Sequence, residues 1–439
     1  MPDTSYRLLG KPGDTSLTTV AAYRKEGGYL ALQRAVSQMS PDQVLGEIRA
    51  ASLRGRGGGG VLAAEKMAIV GRAADDQKYV VCNAYDADPR SLISRTLLER
   101  SPHLVIEGIA LAAYVVGASE AFLYMRADKA LADVVKAALH EAEEQGVIGR
   151  NIMGTGFSLS ITQVGVEVGF MGGEESTLLQ VIRGRPAKAQ QRPPYPTEYG
   201  LFDKPTVVQN AETLVNLPAI VARGGAAMRS SGTQATPGTK LFTVIGPDAE
   251  TARGVVVEVP FGATIQDALH AAGITANESN ARGVAIGGMQ GGVLPLSQRN
   301  TRLDYEPIED AGAIIGSSII EVLPQDTCMV NWAMKRSDYL SKESCGKCIP
   351  CRVGVMRIAG VLQGIESGIG AKGDLDLLDE FAHYVPDGSL CGFGVNAVHP
   401  VVTAMKYFAD DFAAHLDGRC PTGTCIPVRA HRYATKHVL

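Results

Sequence analysis

The sequence predicts an α/β chain in three parts: a mostly parallel sheet with covering helices, a small α+β unit, and a helical region that carries cysteines. Three observations support this reading. Strand-like and helix-like runs alternate between residues 41 and 236, short β-runs take over after Pro237, and from Ser317 the chain reads as helical with clustered cysteines. At about 150 residues per domain, 439 residues also predict three domains. Hydrophobic residues at 45%, charged residues at 20% and a net charge of −4 match the ordinary globular mixture and exclude a largely disordered chain. Lys+Arg 42 against Asp+Glu 46 leaves no basic surplus, which argues against a dedicated nucleic-acid binder.

Taken in order, residues 1–40 form an N-terminal arm with a helix over 28–37. From Pro41 the amphipathic segment PDQVLGEIRAASL runs into RGRGGGG, and the stretch to Val70 is helical again. KYVVCNA at 78–84 is a buried strand. A helix through LERSPHLVIEGIALAAYVVGA and a second strand, EAFLYMR, follow it. A helix at 129–145, the strand SLSITQV and the turn VGFMGGEES, which opens the helix STLLQVIRG, continue the alternation. The Pro-rich stretch 192–206, RPPYPTEYGLFDKPT, breaks regular structure and is expected to wrap this domain's surface beside a site. TKLFTVIG, GVVVEVP, the helix IQDALHAAG and VAIGGMQGG make the small unit. The expected boundaries are thus 1–40, 41–236, 237–316, a helical region 317–418, and a tail 419–439 containing CPTGTC. The longest apolar stretch, 108–118, is half the ~20 residues a bilayer needs. MPDTSYRLLGKPGD has no secretory pattern, so the cytoplasm is the default expectation.

Eight cysteines are too sparse for a disulfide scaffold in a chain this long, which points to metal or redox chemistry. ESCGKCIPCR places Cys345, Cys348 and Cys351 at C-x-x-C-x-x-C spacing, and Cys391 in SLCGFG follows after 39 intervening residues. Three close cysteines and one distant one suit a cubane [4Fe–4S] cluster. Zinc is the runner-up, since Cys₄ zinc sites more often use two separated C-x-x-C pairs. Gly346 and Gly392 are expected to aim backbone N–H groups at the sulfides, and Arg352 to add positive charge. In CPTGTC, Cys420 and Cys425 with His431 could hold a zinc if a fourth ligand came from elsewhere, or remain reduced thiols. Cys82 and Cys328 are expected to be packing residues.

Glycine, at 50 residues or about 11% against a usual ~7%, is the one compositional excess. RGRGGGG at 54–60 lies before a helix, where successive backbone N–H groups make an anion cradle, with Lys66 in reach of the same ligand. It is neither a P-loop nor a dinucleotide fingerprint, and a flexible surface loop is the alternative. GGEES puts Glu174 and Glu175 at another helix start. They would either complement the helix dipole or face a ribose or flavin.

RGRGGGG, VVCNAYDADP, GGEEST, RPPYP…GLFDKPTVVQNAET and ESCGKCIPCR…SLCGFG occur in this order along the chain. In this the chain resembles the flavin-bearing, NADH-oxidising subunit of respiratory complex I and its relatives in NAD-linked formate dehydrogenases and soluble or electron-bifurcating hydrogenases. The resemblance runs from about Pro41 to Gly418. It implies a Rossmann-like flavin domain binding FMN and NAD at 41–236, a ubiquitin-like β-grasp unit at 237–316, and a helical bundle at 317–418 with a [4Fe–4S] cluster on Cys345, Cys348, Cys351 and Cys391. The implied flavin contacts are Gly55, Arg56, Gly57, Gly58, Lys66, Asn83, Asp86, Gly173, Glu174, Glu175, Asn210 and Thr213. Hydride transfer would be positioned by Glu174, Glu175 and Asp88, with no side-chain acid or base. Implied partners are a thioredoxin-like [2Fe–2S] subunit and a larger iron–sulfur or catalytic subunit of formate dehydrogenase or hydrogenase type. No nucleic acid and no membrane insertion are implied, and the place is the cytoplasm or the periphery of a membrane complex.

The departures fall in the site. The family's CNADEGEPG reads CNAYDADPR, with Tyr85 for an aspartate, Asp86 and Asp88 for glutamates and Arg90 for a glycine. GRGGAGFP…KW reads GRGGGGVL…KM, so Val61 replaces an aromatic whose stacking can be worth ~1 kcal/mol. Phe170 replaces a tyrosine, and Gln209 with Asn210 replaces paired asparagines. The first expectation is an NADH:acceptor module working through FMN and the cluster. The alternative is a relay subunit whose altered flavin pocket does not react with NAD(H).

Overall fold

A computed structural model describes residues 8–9 and 17–425. The chain divides into two compact units. One comprises Met1–Ala187, Gln191–Phe242 and Val256–Ala263, the other Lys188–Gln190, Thr243–Val255 and Thr264–Leu439.

In the first unit β1 (Tyr79–Ala84), β2 (Glu120–Arg126), β3 (Ser160–Val166) and β4 (Thr206–Asn210) form a four-stranded sheet in the order β3-β2-β1-β4, every neighbour parallel. β1 and β4 are buried almost continuously because both faces are covered, and the pleat sends successive side chains to opposite faces. Val80, Cys82 and Ala84 of β1, with Ala121, Leu123 and Met125 of β2, enter the larger core. Tyr79, Val81, Tyr124 and Val208 enter a smaller core on the other face. Cys82 is fully buried, as its expected packing role requires. The helix Pro102–Val116 begins on a proline at its first turn, ends at left-handed Gly117, and is buried along nearly its whole length. One of its residues, Glu107, accepts from the backbone N–H groups of Tyr29 (3.0 Å) and Leu32 (2.9 Å). The Leu30–Gln38 helix has no side-chain cap of its own, so this buried carboxyl does the capping and ties the start of that helix to the Pro102–Val116 helix. Burial raises the Glu107 pKa.

β5 (Thr239–Ile245) begins in the first unit and ends in the second, and β6 (Val255–Pro260) follows it. The second unit contains β7 (Ala281–Ile286), β8 (Gly292–Pro295) and β9 (Ile319–Pro324). Thr243–Ile245 runs parallel to β9, β7 is antiparallel to β9, and β8 is antiparallel to β7. β9 corrects the expectation that the chain turns helical at Ser317. A six-residue apolar run carries too little periodicity to separate strand from helix, and pairing with β7 decides it. Helices follow at Met329–Glu343, Met356–Glu366, Gly373–Gly388, His399–Tyr407 and Ala409–Leu416. Among the described residues no helix is long and apolar enough to cross a membrane.

Candidate functional site

The strand order of the first sheet reverses at β1: the chain passes to β2 and β3 on one side and to β4 on the other. In open α/β sheets such a switch point leaves a crevice at the carboxyl ends of the strands, where ligands bind. Asn83 and Asn210 are register partners at these ends of β1 and β4. Asn83 Nδ2 donates to the Gly173 carbonyl (3.0 Å), and Asn210 Nδ2 to the Asn83 carbonyl (3.4 Å). The GGEES turn is thereby tied to the ends of the central strands.

The glycine loop closes on itself through an Arg54–Leu62 bridge and a Gly55 N–H to Val61 carbonyl bond of 2.7 Å. It precedes the Ala63–Arg72 helix, as expected. A Cβ added at Gly57 would lie 3.2 Å from Asn210 Cβ, a tight contact, so the absence of a side chain here eases the close approach of the loop backbone to the β4 end. Lys66 Nζ pairs with the Glu175 carboxylate and donates to the Val208 carbonyl (3.0 Å). Arg192, from the Pro-rich stretch, bridges Glu174 (2.8 Å) and Glu175 (3.2 Å). Two cations and two carboxylates thus alternate beside the crevice, together with glycines and amide donors. That donor set fits the phosphate and polar edge of a flavin nucleotide.

Several expected contacts have structural work that spacing did not reveal. The Arg56 side chain is 1% exposed, and its guanidinium donates to the carbonyls of Arg54 (2.9 Å), Pro237 (2.8 Å) and Thr239 (3.1 Å) while lying 4.6 Å from the Phe261 ring centre. Its backbone N–H donates to Thr213 Oγ1 (2.8 Å). Glu174 caps the Glu175–Ile182 helix, accepting from the Thr177 N–H at 2.8 Å. The Asp86 carboxylate accepts from Ser91 Oγ (3.0 Å) and from the N–H groups of Ser94 (3.2 Å) and Arg95 (3.0 Å), at the start of the Ile93–Arg100 helix. Asp88 is buried and accepts from the Arg90 N–H (3.1 Å). Tyr85, where the family carries aspartate, turns into the smaller core, 5.4 Å from Tyr124 between ring centres. Val61 is 58% exposed. Sequence reasoning missed the part played by Arg192, whose only signal was its place in the Pro-rich stretch, and a fully buried Lys240–Glu212 ion pair.

In the second unit Cys345, Cys348, Cys351 and Cys391 come from the loop before a π-helical turn, Pro350–Val355, from that turn itself, and from the start of the Gly392–Asn396 helix. None of the eight cysteines forms a disulfide. Burial pushes the Cys351 thiol up to about 12, with Cys348, Cys391 and Cys345 near enough as charges to add to the shift. Four convergent thiols fit a [4Fe–4S] cluster, whose binding displaces their protons. Arg352 Nη1 donates to the Gly346 carbonyl (3.0 Å), and the Gly346 N–H donates to Ser344 Oγ (3.3 Å). These two groups therefore shape the loop. Ser344 Oγ also lies 3.3 Å from Cys351 Sγ.

The second cysteine cluster differs from expectation as well. Cys420 and Cys425 gather with Cys328 and His415, all four ligand atoms within 4.8 Å of one another. Cys328 is therefore more than a packing residue, while His431 lies outside the described residues. The signal was non-local, so spacing alone could not find it.

Two family models match the chain: the Nuo51 FMN-binding domain over residues 48–219 and the NADH-ubiquinone oxidoreductase-F iron-sulfur binding region over residues 331–415. The chain is 35% identical to the NADP-reducing hydrogenase subunit HndC of Solidesulfovibrio fructosivorans, covering 91% of this chain and 81% of that protein. It is 34% identical to an F-type NADH-quinone oxidoreductase subunit of Rhizobium meliloti, over 92% and 96%. The fold is similar to a chain in the crystal structure of an NAD+-reducing [NiFe]-hydrogenase in the H2-reduced state, with TM-score 0.79 and 29% identity over 100% of this chain and 74% of that one.

Proposed function

This chain belongs to the family of F-type NADH-quinone oxidoreductase subunits, and from that premise we propose that it carries electrons from NADH through FMN to a [4Fe–4S] cluster as one subunit of a larger oxidoreductase. The observation that carries this reading is the register pairing of Asn83 with Asn210 at the switch point, with the glycine loop, Lys66 and Glu175 gathered around it. FMN, when bound, accepts the two electrons of a hydride and releases them one at a time, which the one-electron cluster requires. The chain's own residues bind and orient. Gly55, Gly57, Gly58 and Gly173 let backbone approach the ring and ribityl chain. Lys66, Asn83 and Asn210 donate to polar atoms. Arg56, Asp86 and Thr213 hold the surrounding backbone in place. Glu174, Glu175 and Asp88 orient the ribose of the incoming dinucleotide. Cys345, Cys348, Cys351 and Cys391 hold the cluster.

The finer partition extends the same reading: residues 1–40 as the arm, 41–236 as the flavin domain, 237–316 as a β-grasp unit, 317–418 as the cluster domain and 419–439 as the tail. The mixed β-pairing around β9 supports a β-grasp, although β9 itself lies past the 316 boundary. The partners we infer are a thioredoxin-like [2Fe–2S] subunit and a larger iron–sulfur or catalytic subunit of formate dehydrogenase or hydrogenase type, in the cytoplasm. A relay that ignores NAD(H) is not favoured by these relatives. The test is to prepare the protein anaerobically, measure FMN and iron, and record the visible spectrum on adding NADH. Prompt flavin bleaching is the expected result. Bound FMN that dithionite reduces and NADH does not would overturn the NADH reading.

A further inference from the structure

We propose that Cys328, His415, Cys420 and Cys425 bind one zinc ion in a closed, four-ligand site that fixes the CPTGTC turn to the start of the Met329–Glu343 helix. The four ligand atoms already lie within 4.8 Å of one another. Tetrahedral zinc with Zn–S bonds of about 2.3 Å sets its sulfurs about 3.8 Å apart, so binding calls for shifts of about an ångström or less. His415 is fully buried, Cys328 is 3% exposed and Cys425 7%. The histidine is oriented before any metal arrives. Its Nδ1 lies 2.7 Å from the Asp411 carbonyl oxygen, which can only accept, so Nδ1 carries a proton and Nε2 is the ring nitrogen turned to the thiols. Cys328 Sγ stands 3.5 Å from His415 Nε2.

The backbone supports the same arrangement. Gly423, at φ +68°, takes the left-handed conformation that returns the turn from Cys420 to Cys425. Cys328 caps the Met329–Glu343 helix by accepting from the Asn331 N–H (3.5 Å), where a thiolate's charge is favourable. The Asp411 carboxylate accepts from the Met329 N–H (3.0 Å) and pairs with Arg282, which anchors the helix that presents His415. Three thiols and one imidazole select zinc over harder cations. Zinc takes the three sulfurs as thiolates and the imidazole through an unprotonated Nε2, so binding releases whatever protons those four atoms carry. With four protein ligands no position is left for substrate, and zinc does not change oxidation state, so the site is structural. Cys328, Cys420 and Cys425 all fall outside the matched iron–sulfur region at 331–415.

The full chain, with its cluster assembled, would be analysed for zinc and iron by plasma mass spectrometry and by zinc-edge X-ray absorption. The expected result is about one zinc per chain, with about three sulfurs at ~2.3 Å and one nitrogen at ~2.0 Å. Cys420→Ser and Cys425→Ser should each lower zinc about tenfold or more while leaving iron and the cluster spectrum intact. Cys345→Ser should do the reverse, losing iron and keeping zinc. Only trace zinc in the unsubstituted chain, zinc that persists in both tail variants, or a native Cys420–Cys425 disulfide found by mass spectrometry would overturn the proposal.

Discussion

At the carboxyl ends of β1 and β4, the side chains offered to a cofactor already hold one another: Asn83 donates to Gly173, Asn210 to Asn83, and Lys66 to Glu175 and Val208. Around Cys351 four thiols converge without a disulfide, and the buried thiol keeps its proton until a metal replaces it. The crevice is therefore a preformed receptor that can stay folded when its nucleotide leaves. The thiol cluster offers four sulfurs that a metal cluster would cross-link, on a loop whose own bonds are few: Arg352 to the Gly346 carbonyl and the Gly346 N–H to Ser344. The two regions should respond differently to loss of a ligand and to loss of a side chain.

The largest effect is expected from Cys351→Ser. Cluster iron should fall to background and one-electron delivery to a partner should stop, while NADH still bleaches the flavin, as anaerobic iron analysis and spin resonance would show. A variant that also loses FMN would break the comparison, because the crevice would then depend on the cluster. Next in size is Glu212→Gln. Lys240 and Glu212 are each 1% exposed and pair with each other beside buried Arg56. Removing one charge of a buried pair costs about 3–5 kcal/mol, so a clear fall in denaturant midpoint is expected. Lys66→Ala comes third. Loss of one charge-assisted contact of about 1.5–3 kcal/mol predicts about 10- to 100-fold weaker FMN binding, measured by flavin fluorescence, with iron unchanged.

The same contrast explains what could be read from the sequence. Cys345, Cys348 and Cys351 were legible because a local repeat sets their spacing, and Cys391 because SLCG supplies the distant fourth cysteine that the resemblance implies. The short continuous apolar run in KYVVCNA likewise identified a buried strand. Arg56 was less legible. An arginine between glycines reads as a ligand contact, yet three carbonyls from its own loop and from residues 237 and 239 surround its guanidinium. Cys328 and His415 were hidden for a different reason: nothing in the spacing between residues 328 and 420 records that tertiary folding brings them together. Arg192 was hidden in the same way, since only the fold shows that it reaches both carboxylates of GGEES.

The smallest expected effect bears on how complete the crevice is. Tyr85 faces the core, so the aspartate-to-tyrosine change removes a carboxylate without placing a ring in the crevice. Val61 remains exposed at the end of the glycine loop, where the family carries a stacking aromatic. A new aromatic contact is worth about 0.5–1.5 kcal/mol. Val61→Phe should therefore lower the KM for NADH about two- to tenfold, with kcat, FMN content and iron unchanged, because only dinucleotide binding gains a partner. A change in kcat without a change in KM would mean that this position acts on the flavin, and the crevice would then be less independent of its ligands than its internal hydrogen bonds imply.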